Sequence, residues 1–205
     1  MTYFKQKIIE SMKNLYNKKY ITVYDGNLSF NPKNKNYFYI TAGSVKKNEL
    51  TEDQIIKVSF NNNIKSNNLI YDNKIYKTSR ELNMHSYLLT DPMYYNKDMF
   101  VLHVHPPKII SYIGLNPQYS NQFSNIKNIF PEMNVWKIGK NVKLYDAGTK
   151  ELAEECYNNL ISNDIVGIKN HGTLSIRKCV DHLTDTIYTL EYYIDIKLRS
   201  KCWIK

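Results

Sequence analysis

The sequence predicts an α/β domain in which helices surround a sheet. Two observations carry this prediction. Apolar runs of strand length, such as Tyr37–Thr41, Met99–His105 and Ile165–Lys169, alternate with segments whose apolar residues recur at helical spacing. At 205 residues, the chain is long enough for one domain, residues 1–205, to bury a full hydrophobic core.

Taken in order, Ile8, Ile9, Met12, Leu15 and Tyr16 fall on one helical face, so the chain opens with an amphipathic helix. The turn residues Asp25, Gly26 and Asn27 precede the strand-like Leu28, Ser29 and Phe30. A second strand, Tyr37–Thr41, ends at the small residues Ala42, Gly43 and Ser44. Thr51 to Gln54 has the capping-box pattern of a short helix start and leads into Ile55–Phe60. The run from Asn61 to Asn68 reads as a solvated loop. Leu69–Tyr71 and Lys74–Tyr76 flank Asp72 and Asn73 as a hairpin would.

Ser79–Leu89 has helical spacing, with Leu82, His85, Leu88 and Leu89 facing inward. Met99–His105 reads as a buried strand. Pro106 and Pro107 stand where a first helical turn tolerates proline, and Ile109–Leu115 continues that helix. Thr149–Ile161 is a further helix. Ile165–Lys169 and Thr173–Ile176 are strands on either side of His171. Leu183, Ile187, Leu190, Ile194 and Leu198 mark a long final helix. No internal repeat or linker interrupts the pattern.

Composition narrows the function classes. No run of about eighteen apolar residues occurs, which argues against a membrane span. The N-terminal residues mix charge with apolar side chains and lack a signal-peptide core, which points to a cytoplasmic protein. Cys156, Cys179 and Cys202 have no Cys-x-x-Cys spacing and read as reduced thiols. The formal charge of +9 invites nucleic acid as a partner. The lysines, however, are scattered and form no stripe with interleaved aromatics, so that partner is disfavoured. An anionic small substrate suits the same charge.

The chemistry-bearing residues start with His103 and His105. Strand side chains repeat every two residues, so both imidazoles share a face at the end of an apolar run. His171, in a glycine-containing turn, is a candidate third ligand. Three imidazoles with an open position suit a catalytic divalent metal, zinc being the commonest. The competing reading of each is a hydrogen-bonded strand-end histidine. His85 and His182 lack such context and read as structural. Glu81 is either a first-turn carboxylate balancing the helix dipole or an acid/base group beside the metal. The Gly26–Ser29 and Thr41–Ser44 segments are either ordinary turns or phosphate cradles. Ser79 and Arg80 would add donors and charge to such a cradle.

In order along the chain, these residues resemble the class II aldolase and adducin head-domain family. The matching stretches are Gly26–Ser29, Ile40–Val45 before Leu50–Asp53, and Ser79-x-Glu81-x-x-x-His85. They continue with His103–Pro107, Asp146–Ala153 and Lys169–Gly172. The resemblance implies an αβα fold with a central, mostly antiparallel sheet. It also implies a cyclic homotetramer with sites between neighbouring subunits. By the same resemblance His103, His105 and His171 hold zinc or another divalent ion, and Glu81 is acid/base. Asn27, Gly43, Ser44, Ser79 and Arg80 would surround the phosphate of a sugar-phosphate substrate.

The chain departs from the family in two places. Thr41–Ser44 reads Thr-Ala-Gly-Ser where relatives read Thr-Pro-Ser-Gly, and Arg80 replaces the second serine of Ser-Ser-Glu. Among members, the epimerases commonly carry Asp where this chain has Glu81. The length after His105 and the Gly148–Ala153 stretch resemble the aldolases. The expected activity is therefore cleavage of a ketose 1-phosphate through a metal-stabilised enediolate. A methylthioribulose-phosphate dehydratase-like lyase is the alternative, and a non-catalytic adducin-like interaction module is the other class. Tyr119 lies in the region from which aldolases recruit a proton-transfer tyrosine.

Overall fold

The computed structural model describes residues 3–60, 69–71, 73, 75–114 and 123–200. Seven strands form one antiparallel sheet in the order β4-β3-β2-β1-β5-β7-β6. They are β1 (Asn27–Asn31), β2 (Tyr37–Thr41), β3 (Ile55–Phe60), β4 (Leu69–Tyr71), β5 (Met99–Val104), β6 (Ile165–Ile168) and β7 (Gly172–Arg177). The helices are α1 (Tyr3–Asn17), α2 (Leu82–Leu89), α3 (Pro92–Tyr95), α4 (Pro107–Gly114), α5 (Ile126–Ile129), α6 (Lys150–Leu160) and α7 (Val180–Ser200). The antiparallel sheet with flanking helices is the αβα arrangement the resemblance implies.

Alternation along β1 assigns the two faces. Leu28 and Phe30 point toward α1, where Phe4 stacks on Phe30 at 4.0 Å and Phe30 meets Phe100 at 4.6 Å between ring centroids. Helices α4 and α7 join α1 on this side. Asn27 and Ser29 point to the opposite face, toward α2, with α6 packed behind it. On that face β1 presents the buried polar residues Asn27, Ser29 and Asn31 beside the apolar Ile40 and Val101, and its register sets Asn27 directly across from His103. The polar patch inside the sandwich is where the site lies.

Glu191 ties the first layer together. Its buried carboxylate accepts from the backbone N–H groups of Lys108 (2.8 Å) and Ile109 (3.0 Å). It thereby caps the first turn of α4 from α7, satisfying donors that a helix start leaves open. That cap fixes the chain just after His105.

Two expectations need correction. Among the described residues, Ile75 and Tyr76 do not pair with Leu69–Tyr71, which pairs antiparallel with Val58–Phe60. Asn73 Oδ1 accepts the Ile75 and Tyr76 N–H groups at 2.9 Å each and withdraws those donors from a ladder. Helix α2 begins at Leu82, because Ser79 Oγ accepts the Glu81 N–H in a turn ahead of it. The capping box at Thr51–Gln54 is present, with Gln54 Oε1 accepting from Thr51 N at 3.2 Å; it starts a single 3-10 turn, Glu52–Gln54, that leads into β3. The Asn61–Asn68 loop, Leu115, Tyr119 and Cys202 lie outside the described residues. Cys156 and Cys179 are free thiols, and His182 is exposed on α7. Among the described residues no helix is long and apolar enough to cross a membrane.

Candidate active site

His103 stands at the end of β5 with 1% of its surface exposed. Its Nδ1–H donates to Thr173 O on β7 at 2.9 Å, which leaves the Nε2 lone pair facing outward. His105 lies one residue past the strand, its backbone N–H donating to Tyr20 O at 2.9 Å. Its Nδ1 is 3.4 Å from Asp25 Oδ2, so its Nε2 is also turned away from its anchor. The two Nε2 atoms face each other at 2.9 Å. His171 completes the group from the β6–β7 turn, where Asn170 adopts φ +53°. Candidate ligand atoms of all three lie within 4.8 Å of one another.

This donor set fits a divalent cation. With both Nδ1 atoms committed, the facing Nε2 atoms of His103 and His105 present lone pair to lone pair. A shared cation is the partner that satisfies both. Burial, with the neighbouring imidazoles adding to it, holds His103 well below the ordinary histidine range. Burial and then His105 bring His171 down to about 4. Both are therefore neutral at pH 7, the form that ligates metal.

Asp25 was not legible as a site residue, yet it orients a candidate ligand. Its carboxylate accepts from Thr22 N at 2.6 Å and Thr22 Oγ1 at 2.7 Å while facing His105. Burial pushes this carboxyl up, but the hydrogen bonds from His105 and Thr22 outweigh it and hold it below the usual range. A carboxylate behind a ligand histidine fixes the ring and raises its basicity. The only sequence signal was Thr22-x-x-Asp25, which also describes any surface turn.

Glu81 occupies the N-cap position of α2 but does not cap it. Instead its Oε2 accepts the Gly148 N–H at 3.1 Å, leaving Oε1 3.9 Å from His171 Nε2. Burial raises its pKa; Gly148, His105 and Arg80 oppose that. Gly148 has φ +83°, and a Cβ there would lie 2.7 Å from Arg80 O. Only glycine lets the 146–149 turn approach closely enough to hold the carboxylate. Asn83 Nδ2 donates to Gly148 O at 2.8 Å and locks the same turn from α2.

Beneath the cluster, His85 bridges β1. It is fully buried, and its Nε2–H donates to Asn27 Oδ1. That makes Nδ1 the acceptor for the Ser29 hydroxyl at 2.6 Å. Asn27 is thus left with its amide N–H₂ as donor beside the cavity. Burial depresses His85 to about 3. In the unfolded chain this imidazole takes a proton below about pH 6.5, whereas in the folded chain it does not until about pH 3. Its contribution is therefore complete above pH 6.5 and falls as pH drops from there toward 3. The expected slope is about 1.4 kcal/mol per pH unit for this one proton. Urea unfolding of wild type and His85→Gln at pH 7 and pH 5 checks this; equal pH dependence in both would refute it.

The cluster opens into a cavity of about 550 Å³ that also reaches Asn27, Gly43, Ser44, Ser79 and Arg80. Asn27, Gly43, Ser44, Ser79, Arg80, Glu81, His103, His105 and His171 thus line one cavity. Their means of contact differ from expectation at Gly43, whose N–H donates to Lys77 O at 3.0 Å and is no free anion donor. Gly43 is needed for space, since a Cβ would lie 2.7 Å from Thr78 O. Ser44 holds φ +55°, a left-handed conformation that suits glycine better. Lys47 also lines the cavity and was missed, because nothing about one lysine in a lysine-rich segment marks it as buried.

A three-histidine cluster, a carboxylate held beside it and cations lining the same cavity define a candidate metal-dependent site on an αβα scaffold. The sequence profile of the Class II Aldolase and Adducin N-terminal domain matches residues 6–198, so the chain belongs to the class II aldolase and adducin family. Solved structures share the fold at low identity. An L-fuculose 1-phosphate aldolase is 20% identical with TM-score 0.72, over 100% of this chain and 90% of that one. A sugar-phosphate aldolase from Thermotoga maritima is 18% identical with TM-score 0.83, over 98% and 96%. L-fuculose-1-phosphate aldolase from Thermus thermophilus is 17% identical with TM-score 0.74, over 97% and 94%. No curated protein matches the sequence significantly.

Proposed function

We propose that this protein is a divalent-metal-dependent sugar-phosphate lyase, an aldolase that cleaves a ketose 1-phosphate. The observation that supports it best is the placement of Glu81. One carboxylate oxygen is pinned by Gly148 and the other faces the three-histidine cluster, in a cavity that Lys47, Lys77 and Arg80 also line. His103, His105 and His171 hold the ion, zinc in this reading. When bound, the ion supplies Lewis-acid stabilisation of negative charge growing on a substrate carbonyl oxygen. Glu81 moves the proton: burial raises its pKa toward the working range of a general acid/base. The Asn27 amide, the Ser44 and Ser79 side chains and Arg80 receive the phosphate.

The proposal covers one domain over residues 1–205, working in the cytoplasm as a cyclic homotetramer with sites between subunits, as the family resemblance implies. Light scattering of the purified protein tests the assembly. The activity is tested by incubation with fuculose 1-phosphate, ribulose 5-phosphate and methylthioribulose 1-phosphate. Release of dihydroxyacetone phosphate is the expected outcome. A diketone product would replace the aldolase by a dehydratase. No turnover, together with no bound metal, would favour an interaction module.

A further inference from the structure

Lys47 is a buried cation with a carbonyl for a partner. Only 2% of its surface is exposed, yet it lines the cavity. Its backbone N–H donates to Val23 O at 2.7 Å, which draws the 3-10 turn Lys47–Glu49 against the segment leading to Gly26. Its ammonium donates to Ala42 O, at the start of the Ala42–Ser44 turn. Asp25 is near enough to act on it electrostatically, but among the described residues no carboxylate lies within ion-pair distance of it. Asp25 is committed to Thr22 and His105.

An ammonium withdrawn from water is strongly penalised unless an anion answers it. One carbonyl uses one of three donors. The remaining donors belong to a group wedged between the two small-residue turns, on the wall of the cavity, with Lys77 and Arg80 lining the same cavity. Burial lowers its pKa to about 8, so it is still charged at neutral pH and ready to gain a counter-ion.

We propose that Lys47 is a specificity-determining residue that contacts the substrate's phosphate inside the cavity. The inference rests on the sugar-phosphate reading above and deepens it: the anionic group reaches past the exposed Arg80 and Lys77 to a buried cation as well. The missing counter-charge comes with the substrate, so unphosphorylated sugars leave Lys47 unanswered and bind poorly.

The test is equilibrium titration of the purified protein with inorganic phosphate, read by thermal shift and calorimetry, with metal content measured in parallel. Lys47→Met keeps the side-chain volume and removes the charge. Phosphate affinity should fall about 10- to 100-fold, the range for losing one charge-assisted hydrogen bond. Metal content should not change, and Tm without phosphate should equal or exceed that of wild type, because a buried unpaired charge is gone. Lys47→Arg should recover affinity to within about tenfold of wild type. Lys47→Gln carries the same comparison if the methionine variant does not fold. If an uncharged variant binds phosphate as wild type does, Lys47 only braces the Ala42–Ser44 turn; the inference is then overturned and the sugar-phosphate reading stands. If wild type binds no phosphate, both are overturned.

Discussion

Glu81→Gln is expected to leave the fold and the metal in place and to lower turnover by about 10²- to 10⁴-fold, the usual contribution of a positioned acid/base. Glutamine keeps the shape, and its amide oxygen still accepts the Gly148 N–H that now holds Oε2 at 3.1 Å. What it cannot do is take up and return a proton beside the histidine cluster. His103→Ala is the contrasting variant. His103 is 1% exposed and its ring is fixed by Thr173 O, so alanine removes a candidate ligand and leaves a hole in the core. The two variants should separate cleanly. Elemental analysis should find metal in Glu81→Gln and little in His103→Ala, with both slow in single-turnover assays. Wild-type turnover by Glu81→Gln would remove it from the acid/base role. Loss of metal in that variant would place Glu81 among the ligands instead.

The candidate site divides into residues that local spacing reveals and residues that only the fold brings near. His103 and His105 are legible because a two-residue period at the end of an apolar run fixes their common direction. Helix α6 is legible from Thr149, whose hydroxyl accepts from Leu152 N at 3.3 Å. Asp25, Lys47 and His85 are not legible as site residues. Their meaning depends on contacts across 80, 5 and 56 or 58 positions, with His105, Ala42, Ser29 and Asn27 respectively. Even the short-range contact, Lys47 to Ala42, acquires its significance from the packing of the 47–49 turn against α1 and the 20–26 segment. The 69–76 hairpin fails for another reason. The Asn73 side chain accepts the Ile75 and Tyr76 N–H groups that a second arm would need, while Leu69–Tyr71 finds its partner on the tertiary edge of β3.

The same distinction explains the other large effect expected, at Gly172. In the sequence it looks like a turn glycine beside His171, chosen for backbone freedom. Its φ lies outside the left-handed region, which Asn170 occupies instead. What Gly172 supplies is space: a Cβ there would sit 2.2 Å from Val104 O and 2.7 Å from His105 Cδ2. The first of these is backbone of β5 and cannot swing aside. Gly172→Ala must therefore push β7 and β5 apart at the point where Val104 pairs with Thr173. The His103 anchor on Thr173 O and the approach of His171 depend on that pairing. The expected loss is about 3 kcal/mol, the upper end for overpacking, together with loss of metal stoichiometry. Gly139→Ala is the fitting control. Its Cβ would meet the buried Val166 Cγ1 methyl at 2.8 Å, a side chain rather than backbone and away from the histidines, so a smaller loss of about 1 to 2 kcal/mol is expected and no change in metal. Urea unfolding and metal analysis of both variants read the difference. A Gly172→Ala protein with wild-type stability and full metal would show that β5 and β7 tolerate separation, and that the cluster does not depend on the close approach of the two strands.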